Sequence, residues 1–261
     1  MNEDAATIKD WADRNGLMLN TAKTKAVLFA SSQQRRFFSD ADVPPLIVNN
    51  TIIPLEDKVC NLGVTMSKDL SWASHVRGVC SRAHGVLHRL PYRAGMLSCH
   101  IRRELAMTLV LPLLDYCCLV YLELPEYLVT MLQRVWHVAV RFVFGLRRDE
   151  RLAPFLERMG CASLEERRRY FVGLQVYRAV SLRRPHYISE MFQRRDTGMA
   201  PQTRSSSLPQ LTVPDSSSEM RRRSFSIMGA RVWNELPLAV RNADSVPQFR
   251  RRLRAYLASC H

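Results

Sequence analysis

Carboxylates are the first residues to examine, because phosphoryl transfer by a two-metal mechanism needs acidic side chains that hold two Mg²⁺ ions about 3.5–4 Å apart. The chain has no Asp-Asp pair, and Asp40-Ala41-Asp42 is the arrangement nearest to one. It lies in a polar stretch that predicts a surface loop, whereas chelating carboxylates need a rigid frame. We therefore predict neither a metal site nor a catalytic acidic pair in this sequence.

Other motifs that could do chemistry are weak. His84 and His88 are four residues apart on a predicted helix, a spacing that can bind zinc. No Cys-x-x-Cys lies nearby and no Glu separates them, so we interpret them as exposed histidines. Cys117-Cys118 is expected to pack as two small hydrophobic residues. The sequence lacks the glycine-rich phosphate loops and the Gly-x-Ser-x-Gly elbow, and we expect no cofactor.

The basic residues are numerous and unevenly distributed. Lys and Arg number 38 against 24 Asp and Glu, which gives a net charge of +14. Residues 1–75 hold 8 basic and 9 acidic side chains, residues 76–261 hold 30 and 15, and every basic residue after position 75 is Arg. Guanidinium groups match phosphate oxygens and stack on bases, so nucleic acid is the expected partner, ahead of a membrane. The alternative is that the base composition of the gene favours Arg.

Localisation follows from what the chain lacks. No apolar run approaches the roughly 20 residues that cross a bilayer, and the acidic start Met1-Asn2-Glu3-Asp4 is unlike a signal peptide. Cysteines without regular spacing are typical of a reduced compartment. We expect an intracellular protein, in the nucleus or the cytoplasm, without membrane contact; the sequence leaves the oligomeric state open.

The secondary structure predicted from the sequence indicates an α+β fold, and the chain divides into four regions. Residues 1–72 predict a helix at 4–15 and a small antiparallel sheet with strands at 17–20, 26–30, 46–48, 51–53 and 59–66. Residues 73–194 predict helices near 73–90, 98–118, 124–145, 151–159, 163–183 and 186–194, with a kink at Pro112. Residues 195–219, rich in Ser, Thr and Pro, predict a disordered linker, and residues 220–261 predict a short helical tail.

The predicted helix at 124–145 carries two different faces. One is an apolar stripe that includes Leu128, Leu132 and Val135, and we expect it in the core. The other carries Arg134, His137, Arg141 and Arg148. This basic face is either a solvated surface or a row of phosphate-binding side chains.

Short motifs occur along the chain in a fixed order. They are Trp11 to Asn20 with Lys23-Thr24-Lys25; Asn61-Leu62-Gly63-Val64 with Leu70-Ser71-Trp72 and His75; Leu114-Asp115-Tyr116-Cys117; Leu132-Gln133-Arg134 with Ala139 to Phe142; and Arg223 to Ser226 with Ala230 to Pro237. As an ordered set, these motifs resemble the reverse transcriptases of non-LTR retrotransposons, with the last one similar to the terminal motif of jockey- and CR1-like elements.

The resemblance implies which part of such an enzyme the chain corresponds to. In the family, the first motif follows the catalytic aspartates in the palm, and the second carries the primer-grip hairpin that leads into the thumb. Residues 1–72 would then be a palm remnant, and residues 73–194 the thumb and connection. All matching motifs follow the family's three catalytic aspartates. The resemblance therefore implies a carboxyl-terminal segment that lacks polymerase activity alone, although the complete family enzyme uses Mg²⁺.

The resemblance also assigns roles to particular residues. Lys23 occupies the position of a family lysine that protonates the leaving pyrophosphate; without the aspartates, a turn lysine is the competing interpretation. Gly63 would lie in the primer grip, where a missing Cβ allows close approach, or would be a sheet glycine at a bulge. The arginine-bearing helices would line the template–primer duplex through its phosphates, and we select Arg77, Arg82, Arg134 and Arg141. Phe225 and Trp233 are expected in the core of the tail.

Three other functions remain open from the sequence. The chain could be a free-standing nucleic-acid-binding protein, whose binding weakens steeply with salt. It could be a non-catalytic helical interaction protein, with Trp136, Phe142 and the tail forming a groove for a protein partner. It could also be an active reverse transcriptase, as complete members of the family are.

Overall fold

The computed structural model describes residues 1–30, 34–37, 42–90, 96–195, 210–216 and 218–259. These residues form two compact units, Met1–Ser81 and Arg82–His261. The predicted α+β class is confirmed, because several helices accompany two small antiparallel sheets. Within the described ranges, no helix is both long enough and apolar enough to cross a membrane. Asp40 and Ala41 of the acidic motif, and residues 196–209 of the predicted linker, lie outside the described residues.

Unit 1 combines one helix with two β-hairpins. Helix α1 spans Asn2–Arg14, strands β1 and β2 span Leu46–Val48 and Thr51–Ile53, and strands β3 and β4 span Lys58–Asn61 and Val64–Ser67. Asn49 and Asn50 connect β1 to β2 with φ of 50° and 58°, the positive values that a tight two-residue hairpin turn requires. The strands predicted at 46–48 and 51–53 are therefore confirmed as an antiparallel pair.

The remaining strand predictions in unit 1 were wrong in two places. Residues 59–66 form the β3–β4 hairpin instead of one strand, because Leu62 and Gly63 reverse the chain with φ of 47° and 79°. Residues 17–30 do not form a hairpin and make only an isolated bridge, between Ala26 and Leu55. Their backbone bonds go to other partners: Glu56 N–H donates to Ala26 O at 2.8 Å, and Ala30 N–H donates to Lys68 O at 3.1 Å. The result is two separate two-stranded sheets.

Helix α2 begins in unit 1 and the remaining helices belong to unit 2. They are α2, Ala73–Arg89; α3, Cys99–Leu105; α4, Leu111–Asp115; α5, Glu126–Phe144; α6, Ala153–Met159; α7, Leu164–Leu182; α8, His186–Ser189; α9, Glu219–Arg222; α10, Phe225–Glu235; α11, Leu238–Arg241; and α12, Val246–Ala258. Gly145 ends α5 and Gly160 ends α6, both in the left-handed conformation that favours glycine.

The predicted helix at 98–118 is helical from Cys99 to Asp115 but is not a regular α-helix throughout, and Pro112 explains the irregularity. A five-residue π-helical turn, Ala106–Val110, separates α3 from α4. Pro112 has no N–H to donate to the carbonyl of Thr108, so the regular hydrogen-bond ladder cannot continue there. The chain leaves the helix at Asp115, and Cys117 follows with a left-handed φ of 52°. The helix predicted at 186–194 is also shorter than expected, since Arg194 pairs with Leu211 in an isolated bridge.

The core of unit 2 is built around α7, α10 and α12. Phe249 is fully buried and stacks on Tyr177, with 4.2 Å between ring centroids, and on Trp233, with 6.2 Å. A Cβ on Gly173 would lie 3.1 Å from a methyl of Leu253, and one on Gly229 of α10 would lie 2.9 Å from a methyl of Val176 on α7 and 2.9 Å from Phe192. Glycine at these two positions therefore lets α12 and α10 approach α7 closely.

The carboxyl-terminal helices share this core instead of forming a separate one. Trp233 and Phe249 from the predicted tail lie in one buried cluster with Val176 and Tyr177 of α7. Leu211, from the described end of the predicted linker, is 1% exposed in the same cluster. The expectation that Trp233 is a core residue is confirmed, and Phe225 is half-buried with its ring edge-on to Phe192.

Phe249→Ala tests this packing. The substitution removes both aromatic stacks and leaves a cavity, and we expect the free energy of unfolding to fall by about 3–5 kcal/mol, the usual range for buried aromatic residues. Urea unfolding followed by tryptophan fluorescence measures the loss. Leu238→Ala is the control, because Leu238 is 40% exposed and its removal should change stability by less than about 1 kcal/mol. Similar losses in both variants would contradict the assigned core.

Candidate nucleic-acid interface

The residues selected in unit 1 occupy turns and helix surface. Gly63 lies at the exposed tip of the β3–β4 hairpin, where its positive φ accounts for the glycine, and so it is a turn residue and not a bulge. Lys23 is exposed in the turn after Asn20, whose side-chain oxygen accepts the Lys23 backbone N–H at 3.2 Å. Arg77 is exposed on α2. These positions give exposed groups but no cluster that would favour one ligand.

Strand β4 is tied to the start of α2 close to the turn of the β3–β4 hairpin. The backbone N–H of Thr65 donates to Nδ1 of His75 at 3.3 Å, and His75 is buried. Because Nδ1 accepts this bond, the neutral imidazole must carry its proton on Nε2. His75 therefore holds the β3–β4 hairpin against α2 through this hydrogen bond.

In unit 2, the structure brings two of the selected arginines to one face of α5. Arg134 and Arg141 are two helical turns apart, about 10.5 Å along the axis. Arg134 is exposed, whereas Arg141 is half-buried, and its Nη1 donates to the carbonyl oxygens of Arg147 and Glu150 at 2.5 and 3.0 Å. Arg141 therefore holds the loop after α5 against the helix. The fourth selected residue, Arg82, is exposed on α2.

The loop held by Arg141 adds basic residues next to it. We call Arg134, Arg141, Arg147, Arg148 and Arg151 the α5 basic cluster. Asp149 and Glu150 lie in the same loop, and the Glu150 carboxylate accepts the backbone N–H of Arg147 at 2.6 Å. The cluster thus has five positive charges against two negative charges. Sequence periodicity placed Arg148 on the helix, and it missed Arg147 and Arg151 because the Gly145 cap and the Arg141 anchor create the loop.

Many other arginines of unit 2 are occupied inside the protein. On α3, Arg102 donates to the carbonyl of Phe142 at 3.2 Å and Arg103 donates to that of Met159 at 3.1 Å. These neighbouring side chains therefore cap the carboxyl ends of α5 and α6, where the helix dipole is negative. On α7, Arg167 forms a bidentate ion pair with the half-buried Asp115. The Arg167 Nε lies 3.0 and 3.1 Å from the two carboxylate oxygens.

Further arginines are engaged near the tail. Arg252 donates to the carbonyls of Ala239 and Asn242 at 2.7 and 3.1 Å, and Arg254 stacks over the ring of Tyr170 at 5.3 Å. By contrast, among the residues that the structure describes, the side chains of Arg134, Arg148 and Arg151 are exposed and make no hydrogen bond or ion pair. The net charge of unit 2 therefore overstates the number of guanidinium groups that could reach a ligand. The α5 basic cluster contains four that can, because the Arg147 side chain is also exposed without a hydrogen bond or ion pair in the described chain.

Two further expectations concern metals and partner grooves. In the described parts of the chain, no three His, Cys, Asp or Glu side chains come close enough together to hold a metal ion. The residues present there offer no donor set for the Mg²⁺ ions of a polymerase.

Trp136, expected to line a groove if the chain were an interaction protein, is 5% exposed and lies in the core.

Comparison of the chain with protein-family models, with curated proteins and with solved structures gives no match. The resemblance to reverse transcriptases therefore rests on the sequence motifs alone.

The electrostatics of the α5 basic cluster affect His137, which lies between Arg134 and Arg141. Burial is the main cause that lowers the pKa of His137 below 6.5, and the positive charge of Arg141 lowers it further. Because the folded state disfavours the imidazolium, His137 contributes stability above pH 6.5, which is lost as the pH falls through and below that value.

Arg141→Gln should raise the pKa of His137 toward 6.5 without reaching it, because burial remains. NMR titration of the imidazole resonances measures the change. Arg134→Gln is the matched control, since Arg134 is one helical turn from His137 on the other side but points into solvent. If both variants raise the pKa equally, the specific effect of Arg141 is refuted.

Proposed function

We propose that this chain corresponds to the carboxyl-terminal part of a non-LTR retrotransposon reverse transcriptase and binds the sugar–phosphate backbone of a template–primer. Binding, and not nucleotide addition, is the activity proposed for the chain itself. The family assignment is supported by the ordered motifs, and the binding function by the α5 basic cluster. The single observation that carries it is that Arg134, Arg148 and Arg151 are exposed without partners in the described chain, next to an Arg141 fixed by two hydrogen bonds.

The geometry of the cluster fits a nucleic-acid backbone. Arg134 and Arg141 are separated by about 10.5 Å on one helix face. That distance corresponds to about three nucleotide steps, at about 3.4 Å of axial rise per phosphate in one strand. Arg148 and Arg151 extend the positive surface beyond the end of α5. Guanidinium groups that contact phosphates do not read base edges, so binding through them should show little sequence preference.

The absence of polymerase activity is proposed on chemical grounds. Two-metal transfer requires carboxylates close enough to share the ions. The sequence has no Asp-Asp pair, and Lys23 lies in a turn after Asn20 with no acidic pair beside it in sequence. A lysine that protonates a leaving group contributes only where the reacting phosphate is held. A primer-extension assay with Mg²⁺ should give no incorporation above background, and incorporation would contradict the proposal.

Salt dependence tests binding at the cluster. The wild-type chain should bind an RNA–DNA template–primer with an affinity that falls steeply with salt, as counterion release requires. Arg134→Gln/Arg148→Gln/Arg151→Gln should weaken binding at low salt. It should also reduce the slope of log K against log salt by about 1 for each phosphate that is no longer neutralised, about 3 in total. Fluorescence anisotropy over a salt series measures both quantities.

The control carries the same change in charge elsewhere in unit 2. Arg184, Arg195 and Arg250 are exposed and, in the described chain, have no side-chain partner. Their triple replacement by Gln should leave most of the affinity and the slope intact. Equal losses in the two triple variants would show that total charge is responsible, and the cluster would not be the interface. No binding by the wild-type chain at low salt would reject the nucleic-acid function and favour an interaction protein.

A further inference from the structure

A second candidate site lies on unit 2, in a groove between α5, α7 and α10. The groove has a volume of about 820 Å³, within the range of about 300–1,000 Å³ that small-molecule sites occupy. Its floor is apolar and includes Val129, Leu132, Val172 and Val232. No residue of the α5 basic cluster lines it. The groove is thus a separate feature that phosphate-backbone binding does not use.

Charged residues rim this apolar floor. They are Arg168, Arg169, Arg222, Arg223 and Arg231, with Glu123, Glu165 and Glu235. Glu235 is in contact with Arg169, and Glu123 lies 3.9 Å from Arg231, so two carboxylates already have a cationic partner. In total, the rim has five guanidinium groups and three carboxylates. The groove therefore combines a hydrophobic interior with an excess of two positive charges at its edge.

The arginines at the rim are held in place by the protein. The guanidinium of Arg168 lies over the ring of Tyr121 at 5.6 Å, and Arg222 Nε donates to the carbonyl of Ser216 at 3.3 Å. Each contact leaves other N–H donors of the planar group available. Such positioned donors lose less conformational freedom on binding an anion than free side chains would.

We propose that this groove binds a small amphipathic anion, a molecule with an apolar chain and a carboxylate or phosphate head. The chain would cover the floor formed by Val129, Leu132, Val172 and Val232. The head would accept hydrogen bonds from Arg168 and Arg222 at the rim. The groove is short: the lining residues of α7, from Leu164 to Val172, cover about 12 Å of helix. This length and volume favour a small molecule over an extended protein segment.

Calorimetric titration with matched probes tests the proposal. Dodecyl phosphate and dodecanoate, used below their micelle concentrations, carry the two head groups on one chain. Dodecyltrimethylammonium supplies the same chain with a cation. Both anions, or one of them, should bind with one molecule per chain and about tenfold or more tighter than the cation, the factor expected for a charge-assisted hydrogen bond. Equal affinities for anion and cation would overturn the proposal.

Variants distinguish the contribution of the rim arginines to binding from that of the apolar floor. Arg168→Gln/Arg222→Gln should weaken anion binding about tenfold or more and leave binding of the cation unchanged or stronger. Val129→Trp should fill the floor and weaken all probes. Arg184→Gln/Arg250→Gln is the charge-matched control and should leave anion affinity unchanged. Equal weakening in the control and the rim variant, or anion binding that Val129→Trp does not weaken, would contradict the site.

A measurement on the wild-type protein tests the site even if the variants fail to fold. With methyl-labelled methionine, the signal of Met228, which lines the groove, should shift on addition of dodecyl phosphate. The signal of Met159, which is fully buried in α6, should not shift. Shifts confined to residues outside the groove, or binding of an acidic amphipathic peptide without binding of either dodecyl anion, would refute the small-molecule assignment.

Discussion

The permanently charged guanidinium group governs both the architecture of unit 2 and its candidate binding surface. Arginine keeps its charge at any physiological pH and offers five planar N–H donors, so a buried one must find acceptors. Arg102 and Arg103 find them at the carboxyl ends of α5 and α6, and Arg167 finds them at Asp115. Each bond links helices that are distant in sequence. In the described chain, Arg134, Arg148 and Arg151 are not used in this way, and they are directed at solvent and available to an anion.

This division explains why charge alone is a poor guide to a binding site. The sequence shows a surplus of Arg after residue 75, but it cannot show which side chains a helix end or a carboxylate will engage. Arg141 illustrates the point, because its guanidinium holds the carbonyls of the loop after α5. In the proposed interface, the role of Arg141 is therefore to position Arg148 and Arg151, in addition to its own charge.

The helices and the class of fold could be predicted from the sequence, whereas several local details could not. Amphipathic spacing locates α5, α10 and α12 because their apolar stripes match the helical period. The strand pattern missed the β3–β4 turn because Leu62 adopts a positive φ that is unusual for its residue type, although the family resemblance implied a hairpin at this motif. The π-helical turn before Pro112 and the chain path of residues 17–30 depend on backbone partners elsewhere in the molecule. The α5 basic cluster was half predicted: the helix face was visible in the spacing, but the loop that completes it was not.

The central claim is that free and engaged arginines differ in function, and NMR of the arginine Nε–H groups tests it most directly. On titration with an RNA–DNA template–primer at low salt, the signals of Arg134, Arg148 and Arg151 should shift or broaden. Those of Arg102, Arg103 and Arg167 should stay unchanged, because the first Nε–H is buried and the other two donate to carbonyl or carboxylate oxygens. Uniform changes across all exposed arginines, or none in the α5 basic cluster, would contradict the account.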